Sequence, residues 1–232
     1  VLLITVVSPV LGANCYVVAV DGSRECLIID PGIRLDRDID AVMAKHSLRP
    51  IAALITHGHV DHTFGLTGLC QRYDMPVYLH EADAYRLDDP IGTLGLNLAS
   101  LFAELGNDWA VPSDVRTFSH HDPLELAGIR IHPMHAPGHT EGSTLYYCPA
   151  SSNDQPGLCF TGDVLFAGTI GRTDLPGGNS DVMRRTLERL AQPESAGGLP
   201  EQTIVLPGHG DSSTLKRERD TNPHLRRLQP SH

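Results

Sequence analysis

The chain predicts an α/β (α+β) fold, and three observations predict it. Val- and Ile-rich runs of strand length alternate with segments whose apolar residues recur at helical spacing. Glycine-flanked turns bearing histidine or aspartate follow strand-like runs in both halves. A length of 232 residues with 41% hydrophobic and 20% charged residues supplies one large core, so residues 1–232 are read as a single domain.

Residues 2–7, 14–20 and 25–30 read as strands, separated by turns at 9–12 and at Asp21-Gly22. Residues 36–46 place Ile39, Val42 and Met43 at helical spacing. A strand over 51–55, a helix over 63–73 and a strand over 76–80 follow. In the second half, 124–131, 144–148 and 157–161 read as strands, 180–190 as a helix and 203–206 as the last strand. Residues 151–156 and 192–202 are polar and rich in Pro and Gly, which marks exposed loops. Residues 81–111 carry Leu87, Leu94, Leu96, Leu98, Leu101, Phe102 and Leu105 and are expected to fold as helices beside the site. They serve either as a substrate-shaping lid or as packing or a subunit contact.

The most informative segment is Thr56-His57-Gly58-His59-Val60-Asp61-His62, directly after the strand at 51–55. Neutral imidazole and carboxylate are donors that zinc and ferrous iron prefer, and crowding them together without a cation is costly. A short loop seldom closes a metal site alone. Further donors stand in Pro137-Gly138-His139, Thr161-Gly162-Asp163 and Pro207-Gly208-His209, each beside a glycine that lets the backbone turn sharply. The seven candidates, five histidines and two aspartates, suit two ions sharing one carboxylate. The other eight histidines are read as surface or core residues.

A net charge of −10 argues against a nucleic-acid backbone as partner. The five cysteines, Cys15, Cys26, Cys70, Cys148 and Cys159, are scattered without a CxxC pair, as expected of a reduced, cytoplasmic chain. The apolar start is not read as a secretion signal, because no basic residue precedes it. No run reaches the ~18 apolar residues of a membrane span. The oligomeric state is left open.

The order HxHxDH, lone His, Asp, final His resembles the metallo-β-lactamase superfamily over nearly the whole chain. That resemblance implies a four-layer αββα sandwich. It also implies that His57, His59 and His139 hold one divalent metal, that Asp61, His62 and His209 hold another, and that Asp163 bridges them. Zinc is the expected metal, with iron or manganese as alternatives. Two close cations lower the pKa of a coordinated water from 15.7 to about 7, which yields a hydroxide nucleophile without a Ser or Cys. Asp61 would then be a ligand and also a proton acceptor.

Asn14-Cys15, Asp30-Pro31-Gly32 and Thr161-Gly162-Asp163 resemble the glyoxalase II branch, which hydrolyses S-lactoylglutathione and related thioesters. The implied partner is a small-molecule thioester. Full-length glyoxalase II adds a C-terminal helical domain whose basic residues grip glutathione. Here 23 residues follow His209, with Lys216, Arg217 and Arg219 expected on a solvated helix face, the alternative being that they partly substitute for that grip. Gly171-Arg172-Thr173-Asp174 resembles persulfide dioxygenases and short glyoxalase II-like hydrolases. That likeness implies that Arg172 contacts substrate, or else pairs with Asp174. The alternative activity is a mononuclear iron glutathione-persulfide dioxygenase. Pro207-Gly208-His209-Gly210 resembles the hydrolase turn instead.

Overall fold

A computed structural model describes residues 1–95, 108–119, 122–152 and 155–228. In the first half, β1 (Leu2–Val7), β2 (Asn14–Ala19) and β3 (Glu25–Ile29) run antiparallel. Strands β4 (Arg49–Leu54), β5 (Val77–His80) and β6 (Val115–Phe118) then continue parallel to β3, giving the order β1-β2-β3-β4-β5-β6. The second sheet holds β7 (Leu124–Leu126), β8 (Ile129–His135), β9 (Thr144–Cys148), β10 (Leu158–Gly162), β13 (Ile204–Pro207) and β14 (Ser213–Thr214). Their order is β14-β13-β10-β9-β8-β7, parallel between β10 and β13 and antiparallel elsewhere. A small hairpin, β11 (Leu165–Phe166) with β12 (Thr169–Ile170), follows β10. The helices are α1 (Asp36–His46), α2 (Val60–Thr63), α3 (Leu66–Tyr73), α4 (Ser180–Ala191), α5 (Leu215–Thr221) and α6 (Pro223–Arg226).

Three apolar interfaces stack these elements as an αββα sandwich. Between the sheets, Tyr16, Leu27, Ile29 and Leu54 meet Ile131, Tyr146, Phe160 and Leu206. On the outer face of the first sheet, Val17, Ile28 and Ala53 pack against Leu35, Ile39 and Met43 of the α1 region and Leu66 and Leu69 of α3. On the outer face of the second, Leu145, Cys159 and Val205 meet Met183, Leu187 and Leu190 of α4, with Leu215 and Leu225 behind. Neighbours along β2, β3 and β4 thus alternate between two buried faces. That is why they read as continuous apolar runs, and β2 is buried at every residue. Helix α4 starts where the Asn179 side chain accepts from the N–H groups of Asp181 and Val182, both at 3.0 Å.

The structure corrects three expectations. The helix expected over 63–73 is two, broken at Phe64-Gly65, where the Gly65 N–H donates to Pro31 O at 2.9 Å instead of continuing α2. The strand expected over 124–131 is a hairpin, because Ala127 (φ +52) and Gly128 (φ +72) turn the chain between β7 and β8. Arg219 is not solvated: it is 4% exposed and donates to the carbonyls of Leu190 and Leu199. Lys216 and Arg217 are exposed. Strands β6, β11, β12 and β14 are two to four residues long, too short for a periodic signal. Of residues 81–111, Glu81–Leu87 and Gly92–Leu94 form 3-10 helices. Leu96, Leu98, Leu101, Phe102 and Leu105 lie outside the described residues. Among the described residues, no helix is long and apolar enough to cross a membrane, and all five cysteines are free thiols.

Strand direction fixes where the polar turns gather. Strands β3, β4 and β5 are parallel, so the residues after them, Asp30, His57 and Asp83, emerge at one edge of the first sheet. Strands β8, β10 and β13 likewise share a direction, and the turns bearing His139, Asp163 and His209 emerge at one edge of the second. Backbone hydrogen bonds tie the two edges together, from Thr144 N–H to Thr56 O at 2.8 Å and from Asn14 N–H to Gly208 O at 2.7 Å.

Candidate metal centre

All seven predicted donors meet at this seam. His59 Nδ1 lies 3.1 Å from His57 Nε2 and 3.0 Å from His139 Nε2. His62 Nε2 lies 3.3 Å from His209 Nε2 and 3.7 Å from Asp61 Oδ2, and His209 Nε2 is 3.3 Å from Asp61 Oδ2. Asp163 stands between the two groups: Oδ1 is 3.4 Å from His62 Nε2, and Oδ2 is 3.6 Å from both His139 Nε2 and His209 Nε2. His57, His59, His62 and His139 are buried.

The outward ring nitrogens of His57, His62 and His139 are already committed. His139 Nδ1 is 2.7 Å from Arg172 O, and a carbonyl can only accept, so the proton sits on Nδ1 and the Nε2 lone pair points inward. His57 Nδ1 faces Thr56 Oγ1 at 3.1 Å, and His62 Nδ1 faces Asp30 Oδ2 at 3.1 Å. Asp30 also accepts from the Thr56 N–H at 2.8 Å and the Thr56 hydroxyl at 2.6 Å. A ring oriented this way by its far nitrogen is the usual arrangement around a bound metal. Asp163 Oδ1 is buried with no hydrogen-bond partner, as is His59 Nε2. Inward lone pairs and an orphaned carboxylate oxygen fit a cation: the cluster can bind metal.

Gly208 leaves room for this convergence, since a Cβ there would collide with Asp163 Oδ1 and His62. Gly162, at φ +48, turns the chain into Asp163 in a backbone region that favours glycine.

Electrostatics point the same way. Burial first, then the neighbouring histidines, hold His57 and His59 well below the usual imidazole range, so they stay neutral and available as ligands. Burial alone would raise the Asp61 carboxyl, but His62, His209 and His59 outweigh it and keep it below the usual carboxylate range. Burial would likewise lower His62, but Asp61, Asp163 and Asp30 together lift it from 6.5 to about 10. In the metal-free protein a proton on His62 therefore stands in for a cation. Metal uptake must expel it, so affinity should rise with pH up to about 10. Calorimetric titration of metal-free protein near pH 7, in buffers of different ionisation enthalpy, should register proton release. Zero net release would contradict this account.

Several positioning residues carry no motif of their own. Asp83, in the 3-10 helix after β5, is fully buried and joins that helix to two turns. Its Oδ2 accepts from Gly58 N–H at 2.8 Å and the Thr140 hydroxyl at 2.7 Å, and its Oδ1 accepts from Gly142 N–H at 2.8 Å. Arg86, also fully buried, lies against Asp83 and donates to Glu141 at 2.6 Å and Pro176 O at 2.9 Å. Asn14 donates to Pro207 O at 3.0 Å and Gly210 O at 2.9 Å, and Tyr16 OH donates to Pro207 O at 2.7 Å, which seats the His209 turn. Arg172 lies at the rim, exposed, with Nε and Nη2 each 2.7 Å from Asp174.

A cleft of about 470 Å3 opens over the centre. A larger cavity, about 830 Å3, lies where β10 begins, around Val18, Ile129 and Leu158, and none of the seven donors lines it.

An αββα sandwich whose strand-end turns converge on a His/Asp cluster able to bind metal defines a metal-dependent class of protein. The chain belongs to the metallo-β-lactamase superfamily, whose family model matches residues 8–209. It is 35% identical to the probable metallo-hydrolase YqgX of Bacillus subtilis over 214 residues, 92% of each chain. It is 29% identical to the hydroxyacylglutathione hydrolase GloC of Haemophilus influenzae over 214 residues, 91% of this chain and 92% of that protein. Among solved structures, the BLEG-1 B3 metallo-β-lactamase superposes with a TM-score of 0.80 at 30% identity, covering 97% of this chain and 99% of that one. TTHA1623 in a di-iron-bound form superposes at 0.73 with 32% identity, covering 95% and 98%.

Proposed function

We propose that the protein is a metal-dependent hydrolase of the glyoxalase II type, acting on S-lactoylglutathione or related thioesters at a centre of two divalent metals. The observation that carries this reading is the pairing of two donor groups, His57/His59/His139 and Asp61/His62/His209, with Asp163 placed between them. Likeness to GloC supports the substrate class, and likeness to a di-iron protein supports two ions. Likeness to a B3 metallo-β-lactamase makes a β-lactam the necessary control substrate.

Bound divalent metals supply Lewis acidity, which acidifies water and polarises a carbonyl. The protein's own groups do the rest. The three histidines of the first group and the Asp61 group fix the two positions, while Thr56, Asp30 and the Arg172 carbonyl lock the rings. Asp61 lines the cleft, and we assign it the part of acceptor for a proton released during hydrolysis. The Arg172 guanidinium on the rim meets a carboxylate of the thiol part. Its pair with Asp174 is exposed and screened by solvent, so it is readily exchanged.

The test is elemental analysis with a thioester assay. About two metal ions per chain and loss of hydrolysis on chelation are expected. A single iron under replete conditions, with oxygen consumption on glutathione persulfide, would replace this reading by the dioxygenase. Arg172→Ala should raise KM for S-lactoylglutathione about two- to fivefold at unchanged metal content. Lowered thermal stability with unchanged KM would instead make the Asp174 pair purely structural.

A further inference from the structure

The walls above the donor cluster are apolar. Leu11, Leu94, Phe166 and Leu175 line the cleft beside Gly171 and Arg172. Leu11 stands in the turn between β1 and β2 at φ +63 and is 59% exposed. Neither the left-handed backbone nor the exposure favours a branched apolar side chain there. Phe166 sits edge-on to His209, ring centroids 6.2 Å apart, and walls that side of the centre. Leu94 packs with Ile33 and Val60, so apolar surface runs from the rim down to the residue preceding Asp61.

Cationic side chains are scarce by comparison. Among the described residues lining the cleft, Arg172 is the sole guanidinium or ammonium group, and Asp174 accepts from both its Nε and its Nη2. A tripeptide thiol with two carboxylates thus finds one shared cation, whereas an acyl chain finds four apolar side chains.

We infer that these four residues form an acyl-chain subsite and that the preferred substrates are thioesters of apolar acyl groups, recognised by the acyl part more than by the thiol. The inference rests on the thioesterase reading and names its substrate class. The reaction is hydrolytic: water adds to the carbonyl carbon, the C–S bond breaks, and a carboxylate, a free thiol and a proton result, with no oxidant or reductant.

The experiment uses the metal-replete full chain and a series of N-acetylcysteamine thioesters from acetyl to octanoyl, with S-lactoylglutathione alongside. Binding of the matching S-alkyl thioethers, which cannot be hydrolysed, is measured by calorimetry. Expected are a two- to fourfold rise in kcat/KM for roughly each added methylene, a parallel fall in thioether Kd, and a hexanoyl ester preferred over S-lactoylglutathione. Leu11→Asp and Leu175→Asp should each cut the hexanoyl-to-acetyl ratio about fivefold or more. Hydrolysis that is flat or falling with chain length, or at least tenfold better on S-lactoylglutathione, overturns the subsite and leaves the thioesterase standing. Thioethers that bind in order of length without any thioester turnover overturn the thioesterase and leave the apolar subsite standing.

Discussion

Asp163→Ala is expected to remove both metal ions, or to leave one loosely held, and to lower kcat/KM on the order of a thousandfold, since a metal centre contributes several kcal/mol to the transition state. The expectation follows from position: this one carboxylate touches His62, His139 and His209, which belong to different donor groups. Removing a ligand of one group alone, as in His59→Ala, should spare the other ion. Metal analysis after dialysis, beside activity at saturating metal, separates the two cases. Unchanged metal content in Asp163→Ala would defeat the shared role.

The second large effect is expected at Asp83. Replacement by alanine strands the N–H groups of Gly58 and Gly142 and takes from the buried Arg86 one of its two carboxylate partners, and breaking such a buried pair costs about 3–5 kcal/mol. For a chain of this size that lowers Tm by roughly 10 °C. Because Gly58, the residue between His57 and His59, hangs from Asp83, metal should also bind about ten- to a hundredfold more weakly. The double variant Asp83→Ala/Arg86→Met should lose less than the sum of its parts, since the second change removes a buried charge that the first leaves with Glu141 as its one carboxylate partner. Strict additivity of the thermal shifts would show that the two residues act independently.

The donors were legible because chemistry and spacing coincide in one short run. His57, His59, Asp61 and His62 crowd into six residues, and His139, Asp163 and His209 each stand beside a glycine. Helix α1 was legible to the residue, its Ile39 and Met43 one turn apart with Ser47 in the left-handed region closing it. The break at Gly65 was not, because it answers to Pro31, a partner more than thirty positions away that no local pattern encodes. Nor was the hub at Asp83 and Arg86. Two charges three residues apart in an apolar stretch look like a solvated face, and only the fold shows that both are buried. Arg219 misled for the same reason: its carbonyl partners belong to the α4 end and the following loop. Asn14 was noticed through likeness alone, its purpose becoming plain once the His209 turn was seen resting on it.

The contact between Asn14 and Pro207 joins residues 193 positions apart. During synthesis the HxHxDH run leaves the ribosome more than a hundred residues before its last partner, so for that interval it is a bare cluster of imidazoles with no cage. At about 5–20 residues per second the wait lasts on the order of ten seconds. The complete donor set therefore exists only once the His209 turn has formed, so a cation bound by all of it is held by a folded geometry that can discriminate among ions, and not by the emerging histidines alone.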